Sequence, residues 1–151
     1  MKELWVEIEK DDAKDSLHSI VDQYSDAIVK GSRAVFFSNK RELEIIKAKD
    51  AGILEIELKN KVIRICIIDK ETENLTVKAS KLGASYLVIS CENWRVIPLE
   101  NLIARIKGQS KLIAEVTNAE DAKVALETLE LGTDGVLLKT SDPDEILKTV
   151  A

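Results

Sequence analysis

The chain has 151 residues, 45% of them apolar and 32% charged, which is typical of one folded domain with a single core and excludes intrinsic disorder. The net charge of −5 is spread along the chain without a basic stripe, so we expect no nucleic-acid partner. Apolar runs are too short for a membrane span and the start has no signal-peptide pattern, which predicts a cytoplasmic protein without a membrane partner.

The amino-terminal third alternates strand and helix patterns. Residues 4–8 alternate apolar and polar side chains, which predicts a half-buried strand. Apolar residues then recur every three or four positions from Leu17 to Ile28, which predicts a helix of roughly 18 residues that ends at Gly31. The short apolar run 34–37 predicts a buried strand, and residues 40–51, followed by Gly52, predict a second helix.

The next segment contains two apolar runs with almost nothing between them. Residues 53–58 and 62–68 both have strand character, but residues 59–61 are too few for a parallel crossover. The two runs therefore form a hairpin or belong to one bent strand, and the pattern does not decide between these alternatives.

The carboxyl-terminal half repeats a regular unit of helix, glycine and strand. A helix over residues 71–82 is followed by Gly83 and a strand over 86–90. A strand around Leu112 precedes Asn118, a suitable cap for a helix over 119–131. A strand over 135–138 and a short helix over 145–150 complete the chain. From residue 86 onward the strands recur about every 25 residues, the period of parallel strands with helical crossovers.

These units predict one α/β domain over residues 1–151. We favour a TIM-barrel-like domain, and a partial one, because a full barrel has eight βα units and commonly about 250 residues. The alternative is an open doubly wound parallel sheet. An incomplete ring would leave sheet edges uncovered, so we also expect self-association.

In either fold, ligands bind at the carboxyl ends of the parallel strands. Glu7, Asp69, Glu115 and Lys139 are expected there. Glu115 shares a strand face with Ile113, and it could form a structural ion pair with Lys139 or act with it as a functional carboxylate and amine. No glycine-rich phosphate motif is present, and the two cysteines lack the spacing of a zinc site, so we expect no metal.

The least ordinary stretch is residues 93–101, NWRVIPLEN, directly after a strand. Pro98 suits the first turn of a helix, and Trp94 can serve as a lid over the strand end or as a hydrophobic plug. Residues 94–104 resemble the pattern DW(K/T)(I/V)IPLENLIA of the archaeal-type 3-dehydroquinate synthase II family. A second block, residues 118–138 with GTDGVLL at 132–138, is similar to a helix and strand of the same family. Weaker similarity covers the whole chain.

The resemblance implies a fold and an activity. The chain looks like the amino-terminal half of a longer enzyme that converts an amino-dideoxy-heptulosonate, a sugar acid, to 3-dehydroquinate by NAD-dependent oxidative deamination and cyclisation, in aromatic amino acid biosynthesis. No family motif assigns the catalytic roles. Our own candidates are Glu115 as a base and Lys139 as an electrophile or imine-forming amine, and the candidates for substrate binding are Glu7, Asp69, Trp94, Glu100 and Asn101.

Two departures from the family pattern matter. Asn93 stands where the family has aspartate, and the β-rich second half of the family's enzymes is absent from this sequence. The chain is therefore expected to be incomplete as a lone enzyme, with a homo-oligomer or a partner chain supplying the rest. A non-catalytic α/β domain that binds a partner chain or metabolite is the alternative, and a small lyase that uses a lysine imine is a third interpretation.

Overall fold

A computed structural model describes residues 3–8, 20–21, 23–48, 52, 57–90, 104–106, 110–127, 133–140 and 143–150. Eight strands in these residues form a closed barrel in which the order around the ring follows the chain. The strands are β1 Glu3–Glu7, β2 Ala27–Lys30, β3 Arg33–Phe36, β4 Glu42–Ala48, β5 Lys61–Cys66, β6 Tyr86–Ser90, β7 Lys111–Val116 and β8 Gly135–Lys139. The helices are α1 Lys70–Lys81, α2 Ala119–Glu127 and α3 Pro143–Val150.

The ring is mostly parallel, with one exception. The neighbouring strands from β4 to β8 are parallel to one another, and β1 is parallel to both β8 and β2. Strand β3 is antiparallel to β2 and to β4. The TIM-like α/β class is thus confirmed, in the form of a mixed barrel, and the open sheet is not what the chain forms.

Closure of the ring removes the reason for which self-association was expected from the sequence. Strand β8 pairs with β1 over five residues, from Glu3 with Gly135 to Glu7 with Lys139. Because every strand has two hydrogen-bonded neighbours, the barrel has no open edge of the kind that a partial ring would leave. Self-association stays a prediction without that support.

The predicted long helix before Gly31 is wrong at its carboxyl-terminal end. Residues 20–21 and 23–24 are helical, but Ile28 lies in β2 and pairs with Val35 of β3. Gly31 has a φ of +58° and forms, with Ser32, the two-residue turn of this hairpin. The spacing of Ile28 fits a helix, but residues 27–30 form a strand because they hydrogen-bond to β1 on one side and to β3 on the other.

The helix predicted over residues 40–51 is also wrong, because residues 42–48 form β4. Leu43 and Ile45 are buried in the barrel interior, whereas Glu42 and Glu44, which alternate with them along the strand, are exposed. This is a period of two, and strand pairing on both sides overrides the helix propensity of the lysines and glutamates.

The pair of strands predicted over residues 53–68 is half confirmed. Residues 61–66 form β5, but its neighbours in the ring are β4 and β6. Residues 53–56 lie outside the described part, Glu57 and Leu58 are not in a strand, and Lys59 makes one isolated bridge to Ala84. No described residue of 53–58 therefore forms a hairpin with β5.

The predicted elements of the second half are confirmed within one or two residues. The predicted cap Asn118 accepts a hydrogen bond from the backbone N–H of Asp121, at 2.8 Å, at the start of α2. Residues 128–131 of the predicted helix lie outside the described part. In the part of the chain described, no helix is long and apolar enough to cross a membrane.

Side chains on the two faces of the ring pack into two cores. The outer face packs against the helices, and Leu4, Ile63 and Leu87 of the strands share this core with Ile146 of α3. The inner face fills the barrel, and its buried members are Trp5, Ala27, Val29, Ala34, Phe36, Leu43, Ile45, Val62, Val88, Ile113 and Leu137. The interior is therefore a packed core and not a pore. Any ligand site must lie at one of its two ends.

Candidate site at the carboxyl-end mouth of the barrel

The mouth is formed by the last inward-facing residues of the parallel strands. Successive side chains of a strand alternate between faces, so the residue two positions after a buried inner residue also faces inward. Glu7 follows Trp5 in this way, Arg64 follows Val62, and Glu115 follows Ile113. Lys47 and Lys139 follow Ile45 and Leu137 on β4 and β8 by the same rule.

Arg64 joins two carboxylates across the ring. Its guanidinium donates from Nη1 to Glu7 Oε2 at 2.9 Å and from Nη2 to Glu7 Oε1 at 2.7 Å, a bidentate pair. It also donates from Nε to Glu115 Oε1 at 2.8 Å, and Nη2 donates to that same oxygen. The side chains are 12% exposed for Arg64, 17% for Glu7 and 18% for Glu115, so the cluster is shielded but reachable from the mouth.

The charges of this cluster stabilise one another. Burial by itself would raise the pKa of the Glu7 carboxyl, but the hydrogen bonds and charge of Arg64, helped by the charges of Lys139 and Lys47, hold that pKa below its usual value. The hydrogen bonds to Glu7 raise the pKa of Arg64 further above its already high value, although burial opposes this. Glu7 and Arg64 are therefore a permanently ionised pair at neutral pH.

Counting donors and acceptors shows which groups are still available to a ligand. A guanidinium has five N–H donors, and four of them in Arg64 are used by the two glutamates. Both oxygens of Glu7 accept from Arg64. Glu115 uses only Oε1, so among the described residues its Oε2 has no hydrogen-bond donor. Glu115 is thus the carboxylate with an oxygen available to a ligand among the described residues.

The predicted neighbours Glu115 and Lys139 lie on adjacent parallel strands and on the same inner face, as proposed from the sequence. The ion pair of Glu115, however, is with Arg64. Lys139 pairs in backbone register with Glu7 and contributes to its electrostatic environment. Neither Lys139 nor Lys47 forms a salt bridge with another residue in the described ranges.

Asp69 lies beyond the end of β5 and has a structural task there. Its Oδ1 accepts from the backbone N–H of Thr72, and the Thr72 hydroxyl accepts in return from the Asp69 N–H, which is a capping box at the start of α1. Its proposed part in substrate binding stays a prediction. Trp94, Glu100 and Asn101 lie outside the described residues, so their proposed roles also stay predictions.

The opposite end of the barrel is closed by aromatic side chains and one carboxylate. Trp5, Phe36 and Tyr86 pack with ring centroids 4.9–5.6 Å apart. Glu3 accepts hydrogen bonds from the Trp5 indole and the Tyr86 hydroxyl and pairs with Lys111 at 3.1 Å. Burial, then the charge of Glu3, raises the pKa of Tyr86. This end is sealed, which leaves the carboxyl-end mouth as the candidate site.

Arg64 and Lys47 are the site residues that sequence reasoning missed. A signal for Arg64 was present, because an arginine inside the apolar run VIRICII needs carboxylate partners when it is buried. Lys47 had no usable signal, since its segment was assigned to a helix. The structure describes no group of three or more His, Cys, Asp or Glu side chains that could hold a metal ion in the ranges given above.

An α/β barrel of mostly parallel strands places the protein in the class of TIM-like barrels, and the charged cluster at the carboxyl ends of those strands is its candidate site. The family can be named more closely. The sequence matches the family model described as the 3-dehydroquinate synthase II N-terminal domain over residues 1–151. The chain therefore belongs to the 3-dehydroquinate synthase II family.

Individual relatives agree with this assignment. The chain is similar to proteins named 3-dehydroquinate synthase from three archaea. It is 50% identical to that of Haloquadratum walsbyi over 106 residues, 44% identical to that of Methanosphaera stadtmanae over 108, and 42% identical to that of Methanopyrus kandleri over 109. The aligned part covers 68–70% of this chain but 26–28% of each relative. The chain thus spans a small part of the length of the relatives it matches.

Proposed function

We propose that the barrel is the substrate-binding and proton-transfer part of a 3-dehydroquinate synthase. The reaction is the NAD-dependent oxidative deamination of an amino-dideoxy-heptulosonate and its cyclisation to 3-dehydroquinate, in aromatic amino acid biosynthesis. The observation that carries the proposal is the ionised cluster of Glu7, Arg64 and Glu115 at the mouth of a barrel of this family. A polar sugar acid with an amine and a keto group can interact there with both carboxylates and a cationic side chain.

Ring closure requires a base and a cation. A carbon next to a carbonyl must lose a proton to a base, and the enolate oxygen that forms must be stabilised by a positive group. Oε2 of Glu115, which accepts from no described residue, suits the base, because Arg64 holds the other oxygen and so fixes the direction of the carboxylate. Lys139, on the adjacent strand and without a salt bridge to a described residue, suits the electrophile.

The starts of α1 and α2 do not fit the pyrophosphate of NAD. A pyrophosphate usually binds at free N–H groups at the start of a helix. At α1 this position is taken by the carboxylate of Asp69, and at α2 by Asn118 together with Glu145, whose Oε2 accepts from the Ala119 N–H at 2.7 Å. We therefore propose that NAD binds elsewhere in the assembled enzyme, and we assign no reaction step that involves NAD to these residues.

The test is an assay of 3-dehydroquinate formation and NADH absorbance with this chain and a carboxyl-terminal part from a relative. We expect Glu115→Gln and Lys139→Gln to lower the rate by about 100-fold or more, the usual contribution of acid–base groups. Lys78→Gln removes one exposed positive charge from α1 and is the matched control, expected to change nothing. The proposal would be contradicted if the wild-type chain and the added carboxyl-terminal part formed no dehydroquinate. It would also be contradicted if both site variants kept full activity.

Borohydride separates the two roles considered for Lys139. If Lys139 forms an imine with the keto substrate, reduction traps a covalent adduct on that residue. If it acts as a charged electrophile, no adduct forms while Lys139→Gln is still inactive. We expect the second result, because Lys139 already acts on the neighbouring Glu7 carboxylate as a positive charge.

A second candidate function is a non-catalytic domain that binds a metabolite or a partner chain. Closure of the ring favours it, since β1–β8 pairing completes a core inside this chain. In that case the chain alone would bind 3-dehydroquinate in calorimetry, and an added carboxyl-terminal part would not produce turnover.

A further inference from the structure

Lys47 is a cation at the mouth that the reaction described above does not use. It lies on β4, in backbone register with Arg64 of β5, and shares the inner face with the buried Ile45. It is exposed, and it contributes to lowering the pKa of Glu7, so its charge lies within the field of the cluster. Its ammonium forms no salt bridge with any residue of the described ranges.

The position of Lys47 is opposite that of Lys139. The ring runs in order from β1 to β8, so β4 and β8 are separated by half its circumference. The pair of Glu7 and Arg64 crosses the space between these two sides. A ligand over this pair therefore has one lysine at each of its ends. Arg64 is less able to bind an anion, because four of its five N–H donors are already used.

The charges at the mouth are also unbalanced. Arg64, Lys47 and Lys139 bring three positive charges, and Glu7 with Glu115 bring two negative ones, so one positive charge is left over among these described residues. One carboxylate on the ligand would neutralise it. Because the Lys47 ammonium is exposed, it can bind that carboxylate without breaking an existing pair.

We propose that Lys47 forms a carboxylate subsite at the barrel mouth and binds the acid group of a hydroxylated carboxylic acid, with the reacting carbonyl directed toward Lys139. This rests on the proposed function for the identity of the ligand, and it adds the ligand's direction across the ring, from β4 to β8. Lys47 is then a residue for substrate affinity, whereas Lys139 and Glu115 act on the reacting atoms.

Calorimetric binding to the 151-residue chain tests the subsite directly. The probes are 3-dehydroquinate, its uncharged carboxamide, and gluconate as an unrelated hydroxylated carboxylate. We expect Lys47→Gln to weaken binding of 3-dehydroquinate by about 10- to 100-fold, the effect of one charged hydrogen bond. Binding of the carboxamide should change little. Lys47→Arg should retain affinity within a few-fold, and the control Lys78→Gln should equal the wild type.

The outcomes distinguish this inference from the proposed function. If the wild type binds 3-dehydroquinate and Lys47→Gln binds it equally well, the subsite is wrong and the proposed function stands. If the wild type binds gluconate through Lys47 but not 3-dehydroquinate, the subsite stands and the proposed function is wrong. Absence of binding to both carboxylates overturns both. In the assembled enzyme, Lys47→Gln should raise KM and leave kcat nearly unchanged; a fall in kcat alone would overturn the assignment to affinity.

Discussion

Replacement of Arg64 by methionine is the strongest test of the charged cluster. The substitution keeps an unbranched apolar stem but leaves Glu7 and Glu115, 17% and 18% exposed, without their cation. Breaking a buried ion pair by removing one partner costs about 3–5 kcal/mol. We expect a loss near 3 kcal/mol, at the lower end, because the carboxylates keep some contact with water and the two lysines remain. For a chain of this size that corresponds to a fall in Tm of roughly 6 to 12 °C.

Urea unfolding followed by far-ultraviolet circular dichroism measures this loss. The matched control is the triple variant Arg64→Met, Glu7→Gln and Glu115→Gln, in which no carboxylate of the cluster is left without its cation. If the cost arises from stranded carboxylates, the triple variant should recover most of the lost free energy of unfolding. A loss below about 1 kcal/mol in the single variant, or a triple variant as unstable as the single one, would refute the reasoning.

Three further predictions concern stability. Gly135→Ala should destabilise the fold by about 1–3 kcal/mol in urea unfolding, because a Cβ there would be 2.3 Å from the Glu3 carbonyl oxygen; a neutral effect would show that β1 and β8 separate easily. Asp69→Ala should cost about 1 kcal/mol through loss of the capping box, whereas Asp69→Asn should cost less, and equal losses would argue against a cap. The pKa of Glu7 is lower in the folded state than its ordinary value of 4.5, so the ionised form stabilises the fold fully above that pH and loses this contribution as the pH falls through the folded value. The difference in stability between the wild type and Glu7→Gln should therefore be constant from neutral pH to about pH 5 and shrink below it; a difference that grows in acid would contradict the sign.

The regular second half of the chain was predictable because its signals are local. In α1 and β6, the helix pattern, the glycine after the helix and the strand pattern all agree, and the elements form within one residue of the predicted bounds. The face of Glu115 was also predictable, since alternation along a strand needs no knowledge of the partner. The TIM-like class followed from repetition of these units.

The first half was only partly predictable by the same rules: β1 and β3 lie within one residue of the strands predicted over 4–8 and 34–37, but β2 and β4 fell in predicted helices. In β2 and β4, strands of four and seven residues carry too little periodicity to outweigh helix-forming lysine and glutamate. Pairing with neighbouring strands supplies the missing stabilisation, and that pairing depends on residues far away in sequence. For this reason Lys47 was not among the site residues predicted from the sequence.

The sequence alone determined the family, the α/β class and the polar strand ends from which a site could be built. The tertiary structure alone decided that the ring closes and that Arg64 pairs with Glu7 and Glu115, which are 57 and 51 positions away in the chain. The physical reason is distance along the chain. Alternation and capping act within a few residues, whereas a charge buried at a barrel mouth selects its partners only after closure has brought opposite strands together.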